Sequence, residues 1–275
     1  MKIAIVTGAS SGMGRETAIQ LADRFGGLSE IWLVARRLER LQELSRILPV
    51  PTRCFALDLT SEKERAVLQA ALKTEKPQVK FLVNASGYGK IGRVGQVAEA
   101  EELGMIRLNC EALCAVTHLV LPYLCDRGRV LQYASSAAFL PQPGFAIYAA
   151  TKAFVLSYSR ALNEELKRRG IRVTAVCPGP VKTEFFTIAE TSGRIPLYKR
   201  LTMADPRKVV RLAVRDSIMG KSVSVYGISM KAFFLLCKVM PHELVLKAAA
   251  LLSPKQVEPS GQREEANQQE RNREH

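Results

Sequence analysis

The sequence predicts an α/β fold: a doubly wound parallel sheet of seven strands, with helices on both faces, in a single domain. Three observations predict it. Short runs rich in Val, Ile, Leu and Phe alternate along the chain with longer amphipathic segments, the pattern of parallel strands buried on both faces. A glycine-rich turn, "TGASSGMG", directly follows the first apolar run and opens the first helical one. No repeat or internal boundary interrupts the 275 residues, of which 47% are hydrophobic and 24% charged, so one large core suffices.

The strands are read in order from "KIAIVTG", "EIWLVAR", "TRCFALDL", "KFLVNAS", "RVLQYAS", "IRVTAVCPG" and "SVSVYG". Helices are expected between them over 14–24, 38–47, 62–73, 103–125 and 148–169. Such alternation requires right-handed crossovers and places helices on both sheet faces. The expected organisation is a catalytic domain over 1–227, with a substrate loop at 184–205, and an apolar helical extension over 228–255. Residues 256–275, polar and nearly free of apolar side chains, are expected to be a disordered tail.

The formal charge is +14, which raises nucleic acid, an anionic membrane surface or an anionic ligand as partners. The basic residues are dispersed, and no nucleic-acid-binding signature lies among them, so nucleic acid is set aside. Six cysteines sit in apolar runs without metal-ligand spacing; free thiols in a reducing compartment and no metal site are expected. Only six residues precede the turn signal in "MKIAIVTGAS", too few for the apolar core of a signal peptide. A cytoplasmic protein is the expectation.

The turn itself carries chemistry. Gly8, Gly12 and Gly14 permit a tight turn, close backbone approach and close helix–strand packing. Free amides at the helix N-terminus then face an anion, and a pyrophosphate suits the place. Ser10, Ser11 and Met13 complete the expected contacts. At the end of the second strand, where a free ribose would call for Asp or Glu, the chain has Ala35, Arg36 and Arg37. Guanidinium groups suit a 2′-phosphate, which favours NADP(H) over NAD(H).

"IYAATKAFVL" places Tyr148 and Lys152 four apart, on one face of a helix. With this pair added, the sequence resembles the short-chain dehydrogenase/reductase family over residues 2 to about 227, as a bacterial-type member with an extended C-terminus. The family's TGxxxGxG turn stands as Thr7, Gly8, Gly12 and Gly14, and its YxxxK motif as Tyr148 and Lys152. "ALDLT" matches the adenine-contacting segment, with Asp58 and Leu59; "NASG" matches NNAG, with Asn84 and Ala85. The helix asparagine is Asn109 in "IRLNCEAL", and the PG motif reads Pro178, Gly179, Val181 and Thr183. Ser135 stands thirteen residues before Tyr148, where the family carries its serine. The resemblance implies a Rossmann-type fold, bound NADP(H) and a dimer or tetramer. It also implies a catalytic set of Asn109, Ser135, Tyr148 and Lys152, with Asn109 anchoring a relaying water.

Two departures stand out. Ala85 replaces an asparagine that helps tie the family's sheet together, and Ser136 adjoins Ser135 as a rival hydroxyl. Side chains alternate faces along extended backbone, which favours one of the two serines, and spacing favours Ser135.

The chemistry expected is hydride exchange between a nicotinamide and a carbonyl carbon. Tyr148 is the proton donor, its pKa held down by the Lys152 charge, and Ser135 holds the carbonyl oxygen. The small residues Ala149, Ala150 and Ala153 are read as making space for cofactor and substrate. Phe185, Phe186, Ile188, Ile195, Leu197 and Tyr198 suggest an apolar lid over a small lipophilic ketone. The alternative function is a non-catalytic NADP(H)-binding sensor or scaffold. Pro241 splits the extension into two pieces of about eleven residues, each too short at ~1.5 Å per residue to span ~30 Å of hydrocarbon. The extension is expected to fold back over the pocket or a second subunit, with peripheral membrane contact through 228–252 as the alternative.

Overall fold

In the computed structural model the described residues are 1–185, 189 and 203–252, the side chains of 248–252 excepted. The chain divides into two compact units, Met1–Val239 and Met240–His275. In the first, seven strands form one sheet: β1 (Lys2–Thr7), β2 (Glu30–Ala35), β3 (Thr52–Ala56), β4 (Gln78–Asn84), β5 (Leu124–Tyr133), β6 (Arg172–Val176) and β7 (Val223–Ser224). Their order is β3-β2-β1-β4-β5-β6-β7, and all pairings are parallel. The helices are α1 (Gly12–Arg24), α2 (Leu38–Ile47), α3 (Glu62–Glu75), α4 (Glu99–Ile106), α5 (Leu113–Val120), α6 (Ala146–Glu165), α7 (Pro206–Ile218) and α8 (Ile228–Val239). The second unit contributes α9 (His242–Leu252).

The doubly wound layering follows from residue alternation. Along β1, Ala4 and Val6 enter one core with Leu21 of α1, Leu41 and Leu44 of α2 and Val210 and Val214 of α7. Ile3 and Ile5 enter the other, with Leu68 and Leu72 of α3, Val116 of α5 and Leu162 of α6. A period of two thus supplies both faces, and the strand reads as unbroken apolar sequence.

Local signals set the helix starts. Ser61 caps α3 by accepting from Glu64 N, while Glu64 accepts from Asp58 N at 2.6 Å and so ties the preceding turn to the helix. Asp205 accepts from Arg207 N at 2.8 Å ahead of Pro206. That cap starts α7, a helix not among those expected from the sequence, directly after the expected substrate loop ends at 205.

The helix expected over 103–125 begins earlier, at Glu99, and is not uniform: α4 gives way to a π-helical turn over Arg107–Ala112 before α5. Cys125 already belongs to β5. By length and composition Glu99–Tyr123 could cross a membrane, but Met105, Leu113, Val116 and Val120 are buried in this unit's packing. Ala85 leaves the sheet tied by other means. Asn84 Nδ2 donates to Thr117 Oγ1 and to Gln132 Oε1, each at 3.0 Å, joining β4 to α5 and β5.

Candidate active site

The strand order reverses between β1 and β4, and a cavity of about 290 Å³ opens at the carboxyl ends of the strands there. Ligands of doubly wound sheets bind at this kind of crevice. The β1–α1 turn forms its floor. Gly8 and Gly12 have φ of +67° and +54°, a region that favours glycine. A Cβ on Gly14 would come within 2.3 Å of the Gly8 carbonyl oxygen, so helix and turn touch backbone to backbone. A Cβ on Gly12 would stand 3.5 Å from Thr183, facing the cavity. Ser10, Ser11 and Met13 line it as well. The cradle fits an anionic pyrophosphate.

Arg36 and Arg37 line the far side, past the end of β2. Arg37 donates to Ser10 Oγ at 3.2 Å and pairs with Glu184 at 3.0 Å, joining the turn to the segment after Thr183. Asp58 and Leu59 also line the cavity. Burial pushes the Asp58 carboxyl up, but hydrogen bonds from Thr60 and the Arg36 charge outweigh it and leave the pKa below the usual range.

At the other end stand Tyr148 and Lys152 of α6, both buried. Tyr148 stacks on Phe145 at 4.3 Å and meets Phe185 at 5.3 Å. Ser135 lies near enough to the phenol to influence its pKa, and its own Oγ accepts from Ala137 N at 3.1 Å. Ser136 opens a short 3-10 turn (Ser136–Phe139), and its N–H is spent on Pro178 O. The two serines are therefore separated by a change of backbone conformation, not by strand alternation.

Lys152 Nζ donates to Tyr133 O at 2.7 Å and lies 5.6 Å from the Tyr148 ring centre. The sequence leads one to expect this ammonium to lower the phenol pKa. Here burial raises it well above its usual value, and the opposing influence is Ser135. Lys152 itself is pushed down to about 8 by burial, which the nearby thiols Cys110 and Cys177 oppose.

That shift has a consequence for stability. Below about pH 8 the folded and unfolded chains both carry the ammonium, and the burial penalty stands in full. From there to about 10.5 the folded lysine is neutral while the unfolded one keeps its proton, so stability rises with pH. Relative to Lys152→Met, the ligand-free wild type should gain ~2–3 kcal/mol between pH 8 and 10, at ~1.4 kcal/mol per unit. Denaturant titrations of both proteins across that range check it, and a constant difference would contradict it.

Asn109 sits in the π-helical turn, fully buried. Its Oδ1 accepts from Tyr88 N at 3.0 Å, and its Nδ2 donates to Tyr88 O and Thr151 Oγ1. Through these bonds the side chain fixes the 86–89 loop. Asn84, expected at the cofactor, lines neither this cavity nor the next, because its amide is turned into the sheet.

Two of the three alanines do not make the space. Ala150 and Ala153 are exposed, whereas Ala149 is buried in the cluster that holds Tyr148. Glycines make it instead: a Cβ on Gly87 would meet Asn109 Oδ1 at 2.8 Å, and one on Gly89 would meet the Tyr148 ring at 2.7 Å. The glycines of "SGYGK" were the available signal. Tyr133 left none, because it acts through its carbonyl.

A second, smaller cavity of about 110 Å³ adjoins the Ser135–Tyr148 pair. Pro178, Gly179, Val181 and Thr183 line it, with Met13, Phe145 and Phe185. Phe186, Ile188, Ile195, Leu197 and Tyr198 of the expected lid lie outside the described residues, as does the tail.

A family profile described as short chain dehydrogenase matches residues 2–192. The chain belongs to the short-chain dehydrogenase family. It is an oxidoreductase acting between CH–OH and C=O. Sulfoacetaldehyde reductase 2 of Chromohalobacter salexigens is 38% identical over 235 residues, 81% of this chain and 91% of the relative. A short-chain dehydrogenase from Sphingobium yanoikuyae in complex with NADPH has a TM-score of 0.75 at 26% identity, covering 94% of this dehydrogenase and 98% of that chain. The bulky-bulky ketone specific alcohol dehydrogenase from Comamonas testosteroni has a TM-score of 0.69 at 25% identity, covering 95% and 98%.

Proposed function

We propose that this dehydrogenase uses NADPH to reduce an uncharged, lipophilic ketone, and oxidises the matching secondary alcohol in reverse. One observation carries the reading: the larger cavity has Arg36 and Arg37 in its lining, and the smaller one that adjoins it at Tyr148 is mainly apolar. The described lining of the substrate cavity includes Phe145, Phe185, Pro180 and Val181 and carries no charged side chain. A sulfonate, such as the relative's name implies, would lack a cationic partner among those residues.

When bound, NADPH supplies the hydride. The amides of the Gly8–Gly14 turn hold the pyrophosphate, and Arg36 holds the 2′-phosphate while Arg37 braces Ser10 and Glu184. Asp58 and Leu59 would hold the adenine end, and the Pro178–Thr183 segment would hold the nicotinamide end. Ser135 donates to the carbonyl oxygen, Tyr148 delivers the proton to the alkoxide, and Lys152 steadies the ribose. Asn109 positions the 87–88 backbone beside them. The proposal includes a homo-oligomer in a reducing, cytoplasmic setting; all six cysteines are free.

NADPH oxidation measured over ketones of graded chain length, alongside sulfoacetaldehyde, tests this reading. Activity should rise with apolar bulk and be low with the sulfonate; the opposite ranking overturns the substrate class. NADPH should bind at least ~10-fold tighter than NADH, a difference of ~1.4 kcal/mol. Arg36→Ala should weaken NADPH and leave NADH little changed, as followed by nicotinamide fluorescence. Equal affinities in the wild type would refute the cofactor assignment.

A further inference from the structure

Helix α8 has two apolar faces, and the first unit uses one of them. Inward, the Phe233 and Phe234 rings lie 6.2 and 4.7 Å from the Phe139 ring, Cys237 is buried, and Met230 stands where a Cβ on Gly179 would lie. The helix is thereby fixed behind the wall of the substrate cavity, to which Gly179 belongs. Outward, Ile228, Leu235 and Val239 are 88%, 61% and 72% exposed. They recur with Ala232 at spacings of four, three and four, which places them on one stripe. Lys231 and Lys238, both exposed and seven apart, run along one edge of it.

We infer that this outward stripe docks the enzyme on an anionic lipid surface. A helix of 12 residues is ~18 Å long and ~10 Å wide, so its stripe covers on the order of 200 Å². That is far below the ~800 Å² per partner of a stable dimer, but it suits shallow insertion of an amphipathic helix beneath headgroups. The sign of the charge agrees, with two lysines at the stripe's edge and +14 on the whole chain, attractive to an anionic leaflet. Residues 256–275 do not suit the stripe, since their apolar side chains are Val257, Ala266 and Pro259. Docking here does not depend on which carbonyl the enzyme reduces.

The test is flotation of the full-length protein with vesicles of phosphatidylcholine and phosphatidylglycerol, and with phosphatidylcholine alone. Wild type should float with the mixed vesicles and at least ~10-fold less at ~0.5 M salt, where surface charge is screened. Leu235→Ser with Val239→Ser, and separately Lys231→Glu with Lys238→Glu, should each lower partitioning at least ~10-fold. NADPH binding and thermal midpoint should not change in either variant. Absence of wild-type flotation overturns the inference, as does equal flotation of the Leu235/Val239 variant. A wild-type dimer that the same variant converts to monomer would assign the stripe to a second copy instead.

Discussion

Tyr148→Phe is expected to lower turnover by ~10²–10⁴, the range attributable to a positioned general acid, with NADPH affinity changed less than about twofold. The phenol is buried against Phe145 and Phe185, so the ring can remain while only the oxygen leaves. Ser135 is the neighbour that opposes the burial-driven rise of the phenol's pKa, so the two hydroxyls are expected to act together. Ser135→Ala should therefore be nearly as severe, and Ser136→Ala mild, because Ser136 begins the 3-10 turn. Single-turnover rates on a verified ketone decide the matter. A near-normal Tyr148→Phe enzyme would remove the proton-donor assignment, and a severe Ser136→Ala would move the carbonyl contact.

Gly14→Ala should be severely damaging to the cofactor turn. The added carbon would lie 2.3 Å from Gly8 O and 2.7 Å from Gly8 C, both backbone atoms. Neither can swing aside, so α1 must move away from the turn that its amides complete. Overpacking of this kind destabilises by ~1–3 kcal/mol, and NADPH affinity should fall more than ~10-fold, or ~1.4 kcal/mol. Gly26→Ala is the matched control, because a Cβ there meets nothing within 4 Å. Thermal melts and fluorescence titration of the two variants should separate cleanly. Equal effects would mean that the contact at Gly14 relaxes without disturbing the site.

The sequence by itself determined the sheet, its parallel winding and the phosphate cradle. Those features rest on short-range rules: continuous apolar runs for strands buried on both faces, and glycines where only glycine tolerates the turn. It also placed Tyr148 beside Lys152, because a spacing of four on a helix leaves little freedom. The tertiary structure alone decided matters that depend on which atoms meet across distant segments. Lys152 turns to the Tyr133 carbonyl, a partner with no side-chain signature. Burial then raises the Tyr148 phenol where a neighbouring charge alone would have lowered it. Asn109 is spent on the Tyr88 backbone and Asn84 on Gln132, because a buried amide takes the partners that folding supplies. The extension shows the same division. Its apolar character was legible, but the split of α8 into a face against Phe139 and a face left to solvent is decided by packing.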